Sequence, residues 1–344
     1  MGIKRLNNFL ESRNALKYYK NIGDYIRSFK QDGYKCFNTR NDTFIIGVDF
    51  MLYAHKYKYS CDNIYSAFIN QILNFLANKI IPIYIIDGVS PIEKNETQKL
   101  RLNKKNRIQN RIHKLRIKLQ YSLDDNSKEI ITNEIVKLDK LNIKITSYDI
   151  NKLIELFEIL NIPYIRAVNE ADTLISKLYK TKHIDACLSE DMDLLVFGCK
   201  KLIKFKYNQI IEYDLNYILK ILQINYNEFI ELCILFGCDY LKTFLRDKPD
   251  IIYEKYMTCN DIKDIFKEIE NKNIDNYLID FHLTKNIFLN SDKKDIVPRL
   301  ALKMKEINKT ILNNYIQKNC NYEMNTNTIY LISHINELIR NNRL

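Results

Sequence analysis

Apolar residues along this chain fall into two kinds of run. Phe44 to Val48, Ile80 to Ile86 and Ile184 to Leu188 are short, almost unbroken and rich in β-branched side chains, and they read as strands buried on both faces. Between them, as in Ile64 to Leu76 and Asp149 to Leu160, apolar positions recur at helical spacing. Strands alternating with helices predict an α/β fold with a parallel sheet flanked by helices. Each strand ends near an acid: Asp49 after the first, Asp87 after the second, Asp191 shortly beyond the third. In open sheets of this type, sites form outside the carboxyl ends of the strands, so these acids are expected along one rim.

Residues 94 to about 145 break the pattern. From Lys94 to Lys118 there are ten Lys or Arg against one acid, Glu96, with no Pro and no Gly. This predicts a basic helical insertion. A solvated helix or a nuclear-targeting patch is the plainer account, but its place beside the acids favours a grip on a nucleic-acid backbone. From about Tyr213 onward the pattern is helical and rich in Lys, Asn and Ile, and the last twenty or so residues, being polar, are expected to be loosely held.

Composition narrows the partners. The 344 residues are 46% hydrophobic, enough for a sizeable core, and carry a net charge of +11. That excess favours a polyanion, nucleic acid above all, over a merely solvated basic surface. No apolar run of membrane-spanning length occurs, the start Met1-Gly2-Ile3-Lys4-Arg5-Leu6 lacks a secretory apolar region, and Leu6 spoils a myristoylation motif. The eight cysteines form no CxxC pair and read as scattered thiols of a reducing compartment rather than a zinc site or a disulfide frame. Of seven glycines, Gly47, Gly88, Gly198 and Gly237 lie within five residues of a candidate acid.

Two acidic doublets stand out, Glu170-Ala171-Asp172 and Asp191-Met192-Asp193. The first has a structural rival: Asn169 reads as a helix cap, and acids favour a helix's first turn. The second follows a buried strand, where charge is costly unless something cancels it. Asp239, after the apolar run Leu232 to Cys238, is a further candidate. With Asp49 and Asp87 this makes seven carboxylates with one plausible destination. Oxygen-only donors suit Mg²⁺ or Mn²⁺, and the commonest use of such a cluster is two-metal phosphodiester chemistry.

These motifs resemble the flap endonuclease family, the structure-specific 5′ nucleases that include the xeroderma group G (Rad2-type) repair nuclease and related exonucleases. Met1-Gly2-Ile3, Val48-Asp49, Ile86-Asp87-Gly88, Asn169-Glu170-Ala171-Asp172, Ser189-Glu190-Asp191-Met192-Asp193 with Phe197-Gly198, and Leu235-Phe236-Gly237-Cys238-Asp239-Tyr240 occur in the family's order over residues 1 to about 240. The resemblance implies a PIN-like sheet with a helical gateway or cap, and two Mg²⁺ (Mn²⁺ substituting) held by Asp49, Asp87, Glu170, Asp172, Asp191, Asp193 and Asp239. Lys94 and Arg101 match the family's two basic catalytic positions; seven residues apart, they are expected on one side of a helix. Gly2 would lie close to the cleaved strand, Tyr53 or His55 would stack on a base, and Lys99, Lys104, Lys105, Arg107 and Arg111 would contact the threaded 5′ single strand.

The implied organisation is 1–93 as the first part of the nuclease domain, 94–145 as the basic gateway, 146–240 as the rest of the core and 241–344 as a divergent helical C-terminal region. Three departures accompany it: Asp172 stands where Glu is commoner, Phe50 occupies a usually small position, and Leu241 to Tyr256 lacks the glycines of the family's duplex-binding hairpin. No sliding-clamp peptide is recognisable, and a monomer acting in the nucleus, or in the cytoplasm if virus-encoded, is expected. The leading expectation is a Mg²⁺-dependent 5′ nuclease acting on DNA flaps or junctions in replication, repair or recombination. A 5′-3′ exonuclease without flap preference, acting on DNA or RNA, is the alternative, and a catalytically silent DNA-binding scaffold a more distant one.

Overall fold

A computed structural model of the chain describes residues 2–31, 43–121, 124–206, 209–259, 261–266, 274–290, 296–297 and 302–344. Cys36 lies outside them; the other cysteines are free thiols. Among the described residues the centre is one sheet built from β1 (Lys17–Tyr19), β2 (Phe44–Asp49), β3 (Ile80–Ile86), β4 (Tyr164–Arg166), β5 (Ala186–Leu188), β6 (Lys201–Lys206) and β7 (Gln209–Asp214), in the order β1-β7-β6-β5-β2-β3-β4. The run β6-β5-β2-β3-β4 is parallel. At one edge, β7 and β1 pair antiparallel. The sheet is therefore mixed: the parallel core is as expected, but the chain doubles back in a hairpin at β6–β7 and borrows an N-terminal edge strand. β5 also starts two residues later than the apolar run, because Asp185 turns its carboxylate onto the Ile45 amide at 2.8 Å.

Strands β2 and β3 are wholly buried, and alternate residues feed two cores. Phe44, Ile46 and Val48 face one core with Phe68, Ile72, Leu156 and Phe157; Ile45 faces the other with Leu174, Ile175 and Leu178. Phe50 fits beside Asp49 without strain, fully buried between Phe68 and Phe157. Register then fixes the rim: Val48 pairs with Leu188 and Asp49 with Ile85, so the carboxyl ends of β2, β3 and β5 finish level.

The basic insertion is a helical hairpin, Asn95–Tyr121 and Asp125–Leu141. Its own small core of Ile112, Leu115 and Ile135 is separate from the two cores of the sheet. The helix Tyr226–Phe236 ends at Gly237, and after Asp239 a stretch without glycine leads to the helix Pro249–Thr258, which begins on a proline suited to a helix's first turn. The chain's end is not loose. Helices Lys309–Cys320 and Thr326–Arg340 bury Leu312, Ile316, Ile332 and Ile335 in the same core as β2 and β3. No helix among the described residues is long and apolar enough to cross a membrane.

Candidate active site

The rim of the sheet is assembled by hydrogen bonds that link one acidic segment to the next. Asp49 caps the helix Phe50–Ser60, with Oδ1 accepting from the Leu52 amide at 3.0 Å. Its Oδ2 accepts from Ser189 Oγ at 3.0 Å, and the same Oγ accepts from the Asp191 amide at 3.0 Å. Asp191 Oδ1 in turn accepts from the Asp193 amide at 3.0 Å. On the other side Asp87 Oδ1 accepts from the Ala171 amide at 2.7 Å, which fixes the start of the helix Ala171–Lys180, whose first turn carries Asp172 and whose cap is Glu170. Gly88 makes this docking possible: its amide donates to Asn169 O at 2.7 Å, and a Cβ there would run into the carbonyls of Ala167 and Val168. The cap position of that helix is Glu170 rather than the expected Asn169, and its side chain makes no capping hydrogen bond, while Asp172 lies in the first turn as the cap reading expects.

The acids differ sharply in surroundings. Asp193 is fully buried, Asp49, Asp172 and Asp191 nearly so, and Asp87 is exposed. Burial, and next the charge of Asp87, push the Asp49 carboxyl up to about 7. Burial and then the charge of Asp191 raise Asp172 and Asp193 well above the carboxylate range. Asp172 Oδ1 is buried with no hydrogen-bond partner, and both carboxylate oxygens of Asp193 are buried with no well-aligned donor, the Ile3 amide being the one group that approaches them. Buried anionic oxygens without donors are costly, and a hard cation relieves that cost. The donor set therefore fits divalent ions. Among the described residues no three His, Cys, Asp or Glu groups close into a ready-made cage. Like charges repel, and two of the acids are held by cations of the chain itself.

Those cations are the two expected ones. Lys94 Nζ lies 2.7 Å from Glu170 Oε2, and Arg101 lies 2.6 Å from Asp239 Oδ2. They do not share a helix: Lys94 ends a single 3₁₀ turn, Ile92–Lys94, and Arg101 sits in the long helix that follows. Thr97 Oγ1 ties that helix down by donating to Asp239 O at 2.8 Å. Lys94 is 6% exposed. Burial pulls its ammonium down, but Tyr240, Glu170 and the neighbouring acids outweigh that and keep it protonated.

Gly2 lies against the acidic rim. It is buried, has φ +70°, and a Cβ on it would collide with the carboxylates of Asp191 and Asp193. Tyr53 is not placed as a base-stacking residue. It is 1% exposed and packs in the core, because it lies on the inner face of its helix. His55, two residues on, is half-buried and lines a cavity of about 1050 Å³ beneath the helical hairpin, with its imidazole lowered by burial and then by Lys105. Arg101, Lys104 and Lys105 line the same cavity from the hairpin, Lys56, Lys204 and Lys206 from the sheet side. Arg111 is instead paired with Glu134 at 2.9 Å, and Lys99 and Arg107 are exposed on the hairpin without lining the cavity.

Three residues escaped the sequence reading. Ser189 joins two acids and was visible in the motif Ser189-Glu190-Asp191. Lys204, which donates to Glu190 O at 2.7 Å, gave no sequence signal. Tyr240 directly follows Asp239, and its ring lies under the Lys94 ammonium.

Residues 161–239 match the XPG I-region family model. The chain is 29% identical over 257 residues to Flap endonuclease 1 of Enterocytozoon bieneusi, covering 71% of this chain and 66% of that protein, just under two thirds of its length. It is 25% identical over 327 residues to the probable RAD2-like endonuclease 369L of Invertebrate iridescent virus 6, covering 79% and 75%. The solved catalytic core of Rad2 in complex with DNA substrate superposes with a TM-score of 0.66 at 18% identity, over 97% of this chain and 100% of that one, a likeness of fold.

Proposed function

We propose that the chain is a nuclease of the flap endonuclease family, XPG/Rad2 type, and that it hydrolyses DNA phosphodiesters at flap or junction structures. The observation that carries the reading is the set of buried, donor-poor oxygens of Asp172 and Asp193 at the same rim as Lys94 and Arg101. Asp49, Asp87, Glu170, Asp172, Asp191, Asp193 and Asp239 would hold two Mg²⁺ ions, with Mn²⁺ as a substitute. When bound, such ions supply an activated water and neutralise charge on the leaving oxygen.

The chain's own residues do the rest. Lys94 and Arg101 are cations already resting on carboxylates; on substrate entry they transfer to the scissile phosphate and offset the charge that grows there. Ser189 holds Asp49 and the Asp191 backbone in one frame, so the acids keep their spacing. The cavity under the hairpin offers Lys104, Lys105 and Lys206 to a single-stranded backbone, with the ring of His55 beside them for a base, while Lys56 and Lys204 are turned onto Glu190.

The test is cleavage of an end-labelled panel of 5′-flap, nicked, overhang and RNA substrates in Mg²⁺. Asp191→Asn is expected to lower cleavage by at least about a thousandfold while DNA binding survives. Cleavage by that variant at the parental rate would refute the site. The panel also separates flap cleavage from the exonuclease alternative, which the glycine-free stretch Leu241 to Tyr256 motivates.

A further inference from the structure

Lys94 is a buried ammonium with two neighbours of different kind. On one side Glu170 Oε2 is in contact at 2.7 Å; on another the ring centroid of Tyr240 is 4.8 Å away. The Tyr240 hydroxyl also reaches the same Glu170 oxygen at 3.4 Å. One aromatic side chain thus touches both members of the ion pair.

The ring is itself held in place. Phe288, fully buried on the helix Ile274–Asn290, meets it edge-on at 5.4 Å and 86°. Behind Phe288 stands Phe197 at 5.2 Å, which closes the short helix that starts at Asp193. Tyr240 also follows Asp239, the partner of Arg101. It therefore touches one cation–acid pair of the site and adjoins the acid of the other along the chain, braced by a helix from the C-terminal part.

We propose that Tyr240 is a positioning residue whose ring face holds the Lys94 ammonium in place for the scissile phosphate, so that Lys94 is not fixed on Glu170 alone. The proposal rests on the nuclease reading given above. A carboxylate contact alone would bind Lys94 in its resting place. A ring attracts a cation without a directional hydrogen bond, so the ammonium can swing between carboxylate and phosphate while staying over the same face. The hydroxyl is secondary, since 3.4 Å is long for a hydrogen bond.

Two measurements test this. The first is the single-turnover cleavage rate of a 5′-flap DNA in Mg²⁺ for Tyr240→Phe, Tyr240→Leu, Lys94→Ala and Tyr240→Leu/Lys94→Ala, each checked for an unchanged melt. Tyr240→Phe keeps the ring and is expected within about threefold of the parent. Tyr240→Leu loses the cation–π face and is expected to fall about tenfold, with substrate binding unchanged. In the Lys94→Ala background the Leu substitution should cost nothing further. Multiplying effects in the double variant, or a Phe variant as slow as the Leu one, would overturn the proposal, as would Lys94→Ala cleaving at the parental rate.

The second measurement needs no cleavage: the rate at which Lys94 is acetylated by an amine-selective reagent in the metal-free protein, mapped by peptide mass spectrometry. The parent and Tyr240→Phe should react slowly, and Tyr240→Leu at least about threefold faster. An unchanged rate in Tyr240→Leu sinks the ring–ammonium contact. If the parent cuts no substrate at all, the nuclease reading fails while the acetylation result still decides the contact.

Discussion

At the scale of single residues, the site is a balance between charge that burial opposes and cations that restore it. Asp49 shows the sign of that balance. Its carboxyl ionises at 3.8 when unperturbed and is pushed up to about 7 in the folded protein, by burial first and by Asp87 second. Between those values the folded state keeps a proton that the unfolded chain releases, so stability falls as pH rises. The slope is about 1.4 kcal/mol per pH unit for this group, and it flattens once both states are ionised. Asp172 and Asp193, raised in the same direction, add to it. The metal-free protein should therefore melt at a lower temperature at about pH 8 than at about pH 5, and Mg²⁺ should raise the melting temperature more at the higher pH, where it does not compete with protons. A Mg²⁺ shift of equal size at both values would contradict the assignment of these acids as ligands. The acids themselves were legible in the sequence because a carboxylate just beyond an apolar run is a conspicuous anomaly. Spacing alone left Tyr53 and His55 as equal candidates; the two differ by about 200° around a helix axis, and burial puts Tyr53 in the core. Tyr240 was missed because an aromatic beside a motif acid looks like core until the position of the ammonium is known.

At the scale of elements, the basic hairpin shows what charge patterning reveals and what it hides. Ten cations in twenty-five residues announced an exposed helix. The break into two helices was less visible, since no Gly or Pro marks it; the signal is Asp124, which caps the second helix by accepting from the Ser127 amide at 2.7 Å. The hairpin's hydrophobic core is only Ile112, Leu115 and Ile135, with Ile108, Leu119, Ile131 and Leu138 partly buried around it. It contributes nothing to the cores of the sheet, while its root is tied to Asp239 through Thr97 and Arg101. Ile112→Ala should therefore open the hairpin locally, at a cost of about 2–4 kcal/mol confined to that unit. Limited proteolysis should cut within residues 95–141 at least about tenfold faster, while the main thermal transition stays where it is. If the main transition falls as far as it does for a substitution under β2, the hairpin is not an independent unit. The strand pair β6–β7 was overlooked for a related reason: in Lys201–Lys206 and Gln209–Asp214 charged and polar residues interrupt the apolar ones, and neither carries the unbroken hydrophobicity that betrayed β2 and β3.

At the scale of the whole molecule, sequence pattern suggested a nuclease core followed by a loosely held helical end, and the structure joins them. Met304, Ile307, Leu312, Tyr315, Ile316, Ile332, Ile335 and Leu338 share one core with Phe68, Ile72, Leu73 and Leu156, which support β2 and β3 and so the rim that carries Asp49 and Asp87. Polar residues fill the outer faces of these last helices, which is why composition made them look detached; their inward stripe is narrow but fully buried. Two polar ties close the seam, Tyr315 OH to Lys152 O at 2.7 Å and Asn63 Nδ2 to Asn319 O at 2.9 Å. Ile332 is 0% exposed. Its replacement by Ala should therefore cost about 2–5 kcal/mol, the range for emptying a well-packed core position. The loss should appear in the same cooperative transition that reports the nuclease core, because the two share side-chain contacts rather than a linker. Hydrogen exchange offers the decisive readout: amides of β2 and β3 and those of the helix Thr326–Arg340 should deprotect together in Ile332→Ala. Were the C-terminal helix to exchange freely while β2 and β3 stayed protected, the helix would be a separable appendage, and its packing under the acidic rim would have no bearing on the stability of the site.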